Sequence, residues 1–195
     1  ASVKVLNSKR TEQGPLLITH WGLSGPGILK LSAWGALELN KKDYNFEIEV
    51  NWLSKNQEVI LDFLKSEKKK QAKKQVILRS VFEEIPKRLW EKFVIAAEIP
   101  MDSQWAQLNN KHLENLASQL TKSIFKVNGK STFKDEFVTA GGIDLKEINF
   151  KRFESKFHKN LFFAGEVLNI DAVTGGFNFQ NAWTSAWIVA NAVGN

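Results

Sequence analysis

The sequence predicts an α+β fold in which a small β-rich unit is interrupted by a helical cluster. Three patterns carry this. Polar and apolar residues alternate with period two near Ser2–Leu6 and across Tyr44–Trp52, as half-buried strands require. Between about 54 and 123 the apolar residues recur at helical spacing instead. The tail then returns to short strand-like runs before one last helix.

The elements follow in order. Gly14-Pro15 is a turn signal that introduces a second strand, Leu16–Thr19. A helix is expected from about Ser24, with Ser24 as N-cap, Pro26 in the first turn, and Ile28, Leu31, Ala36 and Leu39 as its apolar stripe. Gln57–Glu67 places Val59, Ile60, Phe63 and Leu64 on one helical face. Pro86 opens a helix whose Leu89, Trp90, Phe93, Val94 and Ala97 point inward, and Asn110–Ser123 turns Leu113, Leu116 and Leu120 to one side. Phe125–Val127 and Phe137–Thr139 read as short strands, the second broken by Gly141-Gly142. Leu161–Ala164 is wholly apolar, as buried parallel strands are. Thr174-Gly175-Gly176 opens a final helix that runs to about Ala192 and is apolar on most sides.

Composition excludes several chemistries. With no cysteine, disulfides, thiolate zinc sites and cysteine nucleophiles are all absent. His20, His112 and His158 are far apart and make no ligand pair, so no metal site is expected. No apolar run reaches the length that spans a bilayer, and the chain is expected to be soluble and cytoplasmic, with no membrane partner. The net charge of +6 is local: residues 55–92 hold eleven Lys or Arg against six Asp or Glu, a surplus of +5. Such a run is a solvated helix face or a phosphate-binding patch. Because it has few exposed-looking aromatics for stacking bases and no recognisable nucleic-acid module, nucleic acid is not the expected partner, although an interaction or nucleic-acid-binding module remains the alternative reading.

Chemistry concentrates in the tail. At Gly165 and Glu166 a carboxylate follows the apolar run, where ligands of α/β folds sit. Gly175 and Gly176 then feed a helix N-terminus, whose unpaired N–H groups suit an electron-rich ligand. A tight turn capped by Thr174 accounts for the glycines almost as well.

The blocks LFFAGEVLN, TGGFN and NAWTSAW, together with LLITHWGLSGPGILKLSAWGA at 16–36, resemble a bacterial NAD(P)/FAD-dependent flavoprotein family with aminoacetone oxidase-like and bile-acid-reductase-like members. VNWL at 50–53, PKRLWE at 86–91, FVTAGGIDLKEI at 137–148 and FESK at 153–156 fall in the family's order, so the resemblance covers nearly the whole chain. It implies a barrel-like β unit with a helical insert over 1–136, and the last strand and helix of a Rossmann-like FAD domain over 137–195. It further implies that Gly165 and Glu166 meet the ribityl hydroxyls of FAD, and that Thr174, Gly175, Gly176, Phe177 and Asn178 approach the isoalloxazine. His20 is the candidate proton donor, and Ser24, Gly141 and Gly142 the substrate side. Asn169 stands where the family commonly has Asp, and Ala172 and Ala186 where it has Gly.

The Gly-x-Gly-x-x-Gly turn that holds the pyrophosphate of such cofactors is not in this sequence; Gly22, Gly25 and Gly27 have the wrong spacing. The chain therefore reads as the C-terminal portion of an oxidoreductase, a cloned domain or one piece of a split gene product, inactive alone. Its expected partners are the absent N-terminal FAD-binding half and a small-molecule substrate, with NAD(P)H as a further cofactor.

Overall fold

In the computed structural model, which describes residues 1–130, 138–173 and 175–194, a four-stranded antiparallel sheet carries the N-terminal part. Its strands are β1 (Ser2–Val5), β2 (Thr11–Gln13), β5 (Asn45–Asn51) and β6 (Ser123–Asn128), in the order β2-β1-β5-β6. Between β2 and β5 come a small hairpin, β3 (Leu17–Ile18) and β4 (Leu23–Ser24), and helix α1 (Pro26–Asn40). Val3, Val5, Ile48 and Val50 turn to one face and are fully or nearly buried, while Lys4 between the first two is exposed. Leu31 and Leu39 of α1 join the same core, and α1 packs on β1 and β2.

Ser24 is not the N-cap of α1. Its backbone belongs to β4, opposite Leu17, so the cap moves to Gly25. Gly25 has φ 96°, and a Cβ there would stand 2.9 Å from the Pro15 carbonyl oxygen, so only glycine fits. Pro26 does occupy the first turn.

Three helices lie between β5 and β6: α2 (Gln57–Lys70), α3 (Lys87–Ala96) and α4 (Asn110–Thr121). Asn56 caps α2 by accepting from the Glu58 amide at 3.0 Å, and Asn109 with His112 forms a capping box on α4. α2 extends past its apolar stripe through Lys68, Lys69 and Lys70, because basic side chains in a last turn complement the helix dipole. Leu64, Leu113, Leu116, Leu120, Trp90 and Trp105 close the helical core, which is continuous with that of the sheet. Trp90 and Trp105 stack at 6.4 Å, and the Trp90 indole N–H donates to the Val76 carbonyl at 2.7 Å. Trp52, just beyond β5, donates to the Ser123 hydroxyl at 3.0 Å and so ties the two strand ends together.

A second, smaller core gathers Ile148, Phe153 and Leu168, with Ile188 and Val189 of the last helix against it. It is framed by a hairpin, β7 (Ile148–Asn149) and β8 (Glu154–Ser155), and by helix α5 (Phe177–Val193). Leu161–Ala164 is not a buried parallel strand. Phe162 makes one antiparallel bridge to Glu154, the Ser155 amide donates to Leu161 O at 2.8 Å, and Leu161 is 43% exposed. The local hairpin has taken up its backbone. The parallel pairing falls instead between Ile143 and Leu168. Of the expected strand Phe137–Thr139, Phe137 lies outside the described residues, and Val138 and Thr139 form no strand.

Candidate functional site

Residues 138–194 assemble most of the chemistry expected from the sequence. Gly165–Val167 forms a single 3-10 turn that packs on α5. The Gly165 amide donates to the Ser185 hydroxyl at 2.9 Å, and that hydroxyl donates in turn to Asn181 O at 2.7 Å. Ser185 is fully buried, so one side chain fixes the turn against the helix. Sequence reasoning gave it no role although it lies in the NAWTSAW block, since nothing in the pattern shows which backbone group a helical serine serves. Replacing Ser185 by Ala leaves the Gly165 amide short of an acceptor and is expected to cost about 1–3 kcal/mol in urea denaturation.

Glu166, on the solvent side of this turn, has no hydrogen bond or ion pair among the described residues. Gly175 and Gly176 have φ 146° and 91°, and no side chain caps α5. The first-turn N–H groups of a helix have no helical acceptors, which leaves a donor-rich end here. The Asn178 carboxamide is already engaged: it accepts from the Ala172 amide at 2.8 Å and donates to the Ala172 carbonyl at 3.0 Å, closing the loop that leads into α5. Phe177 is exposed. Thr174 lies outside the described residues.

Gly142 has φ 145°, and a Cβ there would fall 2.6 Å from the Leu168 carbonyl carbon. That close approach lets the Ile143 amide reach Val167 O at 2.9 Å and the Asn169 amide reach Ile143 O at 3.1 Å. Gly142 thus ties the Gly141-Gly142 segment to the Glu166 turn, whereas Gly141 faces open space. His20 stands exposed at the β3–β4 tip, edge-on to Trp21 at 6.5 Å, and Ser24 is half-buried in β4. No hydrogen bond or ring contact among the described residues joins either to the Glu166 unit. His112 is spent on its capping box. Among the described residues no cluster of His, Cys, Asp or Glu could hold a metal, and no helix is long and apolar enough to cross a membrane.

A sheet with three helices set between paired strands, followed by a glycine-opened helix beside a free carboxylate, defines a class of domain rather than a single chemistry. The chain belongs to the HI0933-like family: residues 1–138 match its barrel and H2TH domain. It is 34% identical, over 90% of its length, to the ribosomal RNA dihydrouridine synthase of Escherichia coli, and 33% identical over 91% to that of Haemophilus influenzae. It is also 25% identical, over 93%, to the 3-dehydro-bile acid delta(4,6)-reductase of Clostridium scindens, which bears out the bile-acid-reductase kinship implied by the motifs. The chain spans 41%, 42% and 44% of these relatives, about two-fifths of their length.

Proposed function

We propose that this chain forms the flavin-ring end of an FAD-dependent reductase whose substrate is a carbon–carbon double bond conjugated to a carbonyl, the uracil of RNA before others. The observation that carries the reading is the unpartnered Glu166 carboxylate, held by Gly165 and Ser185 against the helix that Gly175 and Gly176 open. These residues fit one end of the cofactor. Glu166 accepts hydrogen bonds from ribityl hydroxyls, and the α5 amides donate to the pyrimidine edge, where negative charge collects on reduction. In a protein as long as the relatives, the pyrophosphate and adenosine contacts would come from outside these residues.

The relatives' names support the substrate class. Dihydrouridine is uridine with its C5–C6 bond saturated beside a carbonyl, and a 3-dehydro Δ4 steroid also sets a double bond beside a ketone. Saturating such a bond takes a hydride at the carbon distal to the carbonyl and a proton at the nearer one. FAD, once bound and reduced by NAD(P)H, would supply the hydride. His20, exposed and uncommitted at its hairpin tip, is the proton donor.

FAD titrated into this chain, and into a chain extended to the relatives' full length, tests the reading. Only the longer protein should bind and turn yellow. Glu166→Ala there should weaken FAD about 10- to 100-fold, the worth of a charged hydrogen bond. His20→Asn should keep the flavin and slow dihydrouridine formation. Tight FAD binding unaffected by Glu166→Ala would sink the assignment.

A further inference from the structure

The cationic surplus is not spread evenly once its partners are known. Lys55, Lys65, Lys70 and Lys87 are paired with Glu84, Asp62, Glu67 and Glu91, and Lys68 donates to the Leu108 carbonyl. Of the other six cations in this stretch, Lys74 lies in the field of Glu67, and Lys69, Lys73, Arg79, Arg88 and Lys92 are exposed with no ion pair or side-chain hydrogen bond among the described residues. The Glu67 carboxyl is held below its ordinary range by the Gln71 amide first and Lys70 second, so this acid is already engaged.

A cationic ridge of Lys69 and Lys73 at the end of α2 and Arg79 just beyond it meets, through Arg79, an open cleft of about 520 Å³ lined also by Lys74, Lys87, Glu67, Phe63 and Phe82. The two rings meet at 5.0 Å, and Phe63 is 37% exposed. Glu83 also lines the cleft. This combination selects among anions. Lysines alone suit any phosphate, but an exposed aromatic face suits a base, and a carboxylate suits a 2′-hydroxyl or an exocyclic amine. A nucleotide carries all three features; an inorganic phosphate or a lipid headgroup does not.

Resting on the reading that RNA is the substrate, we infer that the ridge and cleft at the end of α2 are the RNA-anchoring surface. The ridge follows the phosphate backbone, and one unpaired base of a loop enters the cleft against Phe63. Grip on the RNA is thereby separated from the reducing centre.

The test measures binding of a labelled RNA stem-loop by this chain across a salt series. The Lys69→Glu/Lys73→Glu/Arg79→Glu variant should bind at least about tenfold more weakly, and its log–log salt slope should shallow by about 2. Lys9→Glu/Lys30→Glu/Lys151→Glu, an equal charge change elsewhere, should leave more of the affinity. Phe63→Leu should weaken the stem-loop about tenfold and leave a blunt RNA duplex unaffected. Equal losses from both charge-reversed variants overturn the inference, as does ridge-dependent binding to anionic phospholipid vesicles without RNA binding. If RNA binds through the ridge but the full-length protein makes no dihydrouridine, the substrate reading fails and the anchoring surface stands.

Discussion

Trp90→Ala is expected to lower the unfolding free energy by about 3–5 kcal/mol, the range for emptying a large aromatic site in a core. Trp90 is fully buried and touches two further rings, Phe82 at 6.3 Å and Trp105 at 6.4 Å. Its indole N–H also serves the Val76 carbonyl, so alanine leaves that acceptor unpaired as well as a cavity. Trp90→Phe separates the two effects: most of the packing stays and the hydrogen bond goes, for a loss of about 1–3 kcal/mol. Urea titration followed by circular dichroism reads both. A loss below 1 kcal/mol for Trp90→Ala would mean that the helical unit is not joined to the sheet through one cooperative core.

The second large effect concerns α5. Phe179, Trp183 and Trp187 follow one another at four-residue spacing, so they share one face, and both tryptophans are 69% exposed. An exposed aromatic stripe of this kind draws a partner, and for the chain by itself the partner in reach is another copy. Sedimentation velocity should show an oligomer that grows with concentration. Trp183→Glu with Trp187→Glu should return it to monomer, raising the dissociation constant at least about thirtyfold per residue if each acts as an interface anchor. The buried Ser185 lies on the opposite side, so folding should survive. A wild-type chain that stays monomeric at high concentration contradicts this.

Much of the architecture was legible because local pattern and tertiary role coincide. Leu113, Leu116 and Leu120 repeat at helical spacing and are buried in α4, with Ala117 and Thr121 beside them. Tyr44–Trp52 alternates, and β5 sits within it. β2 was not legible: Thr11-Glu12-Gln13 is a polar edge strand with no apolar alternation, and it pairs only because β1 presents a free edge. Leu161–Ala164 misled because an apolar run specifies burial but not which backbone it pairs with. The free carboxylate at Glu166 and the glycines before α5 were readable from motif. The cleft was not, since Phe63 and Phe82 meet across nineteen positions of chain through a turn that no periodicity encodes.

The pairing of β5 with β6 bears on how the molecule reaches its structure. Val50 lies opposite Ser123, so these neighbours are joined by a loop of more than seventy residues. Closing such a loop in an unstructured chain costs about 4 kcal/mol of entropy before any strand contact repays it. Each of α2 to α4 forms its own turns locally and quickly, and the packing of α2 on α4 then draws those ends together. The helical unit is therefore expected to condense before the sheet closes, with the Trp52–Ser123 bond as the latch of that last step.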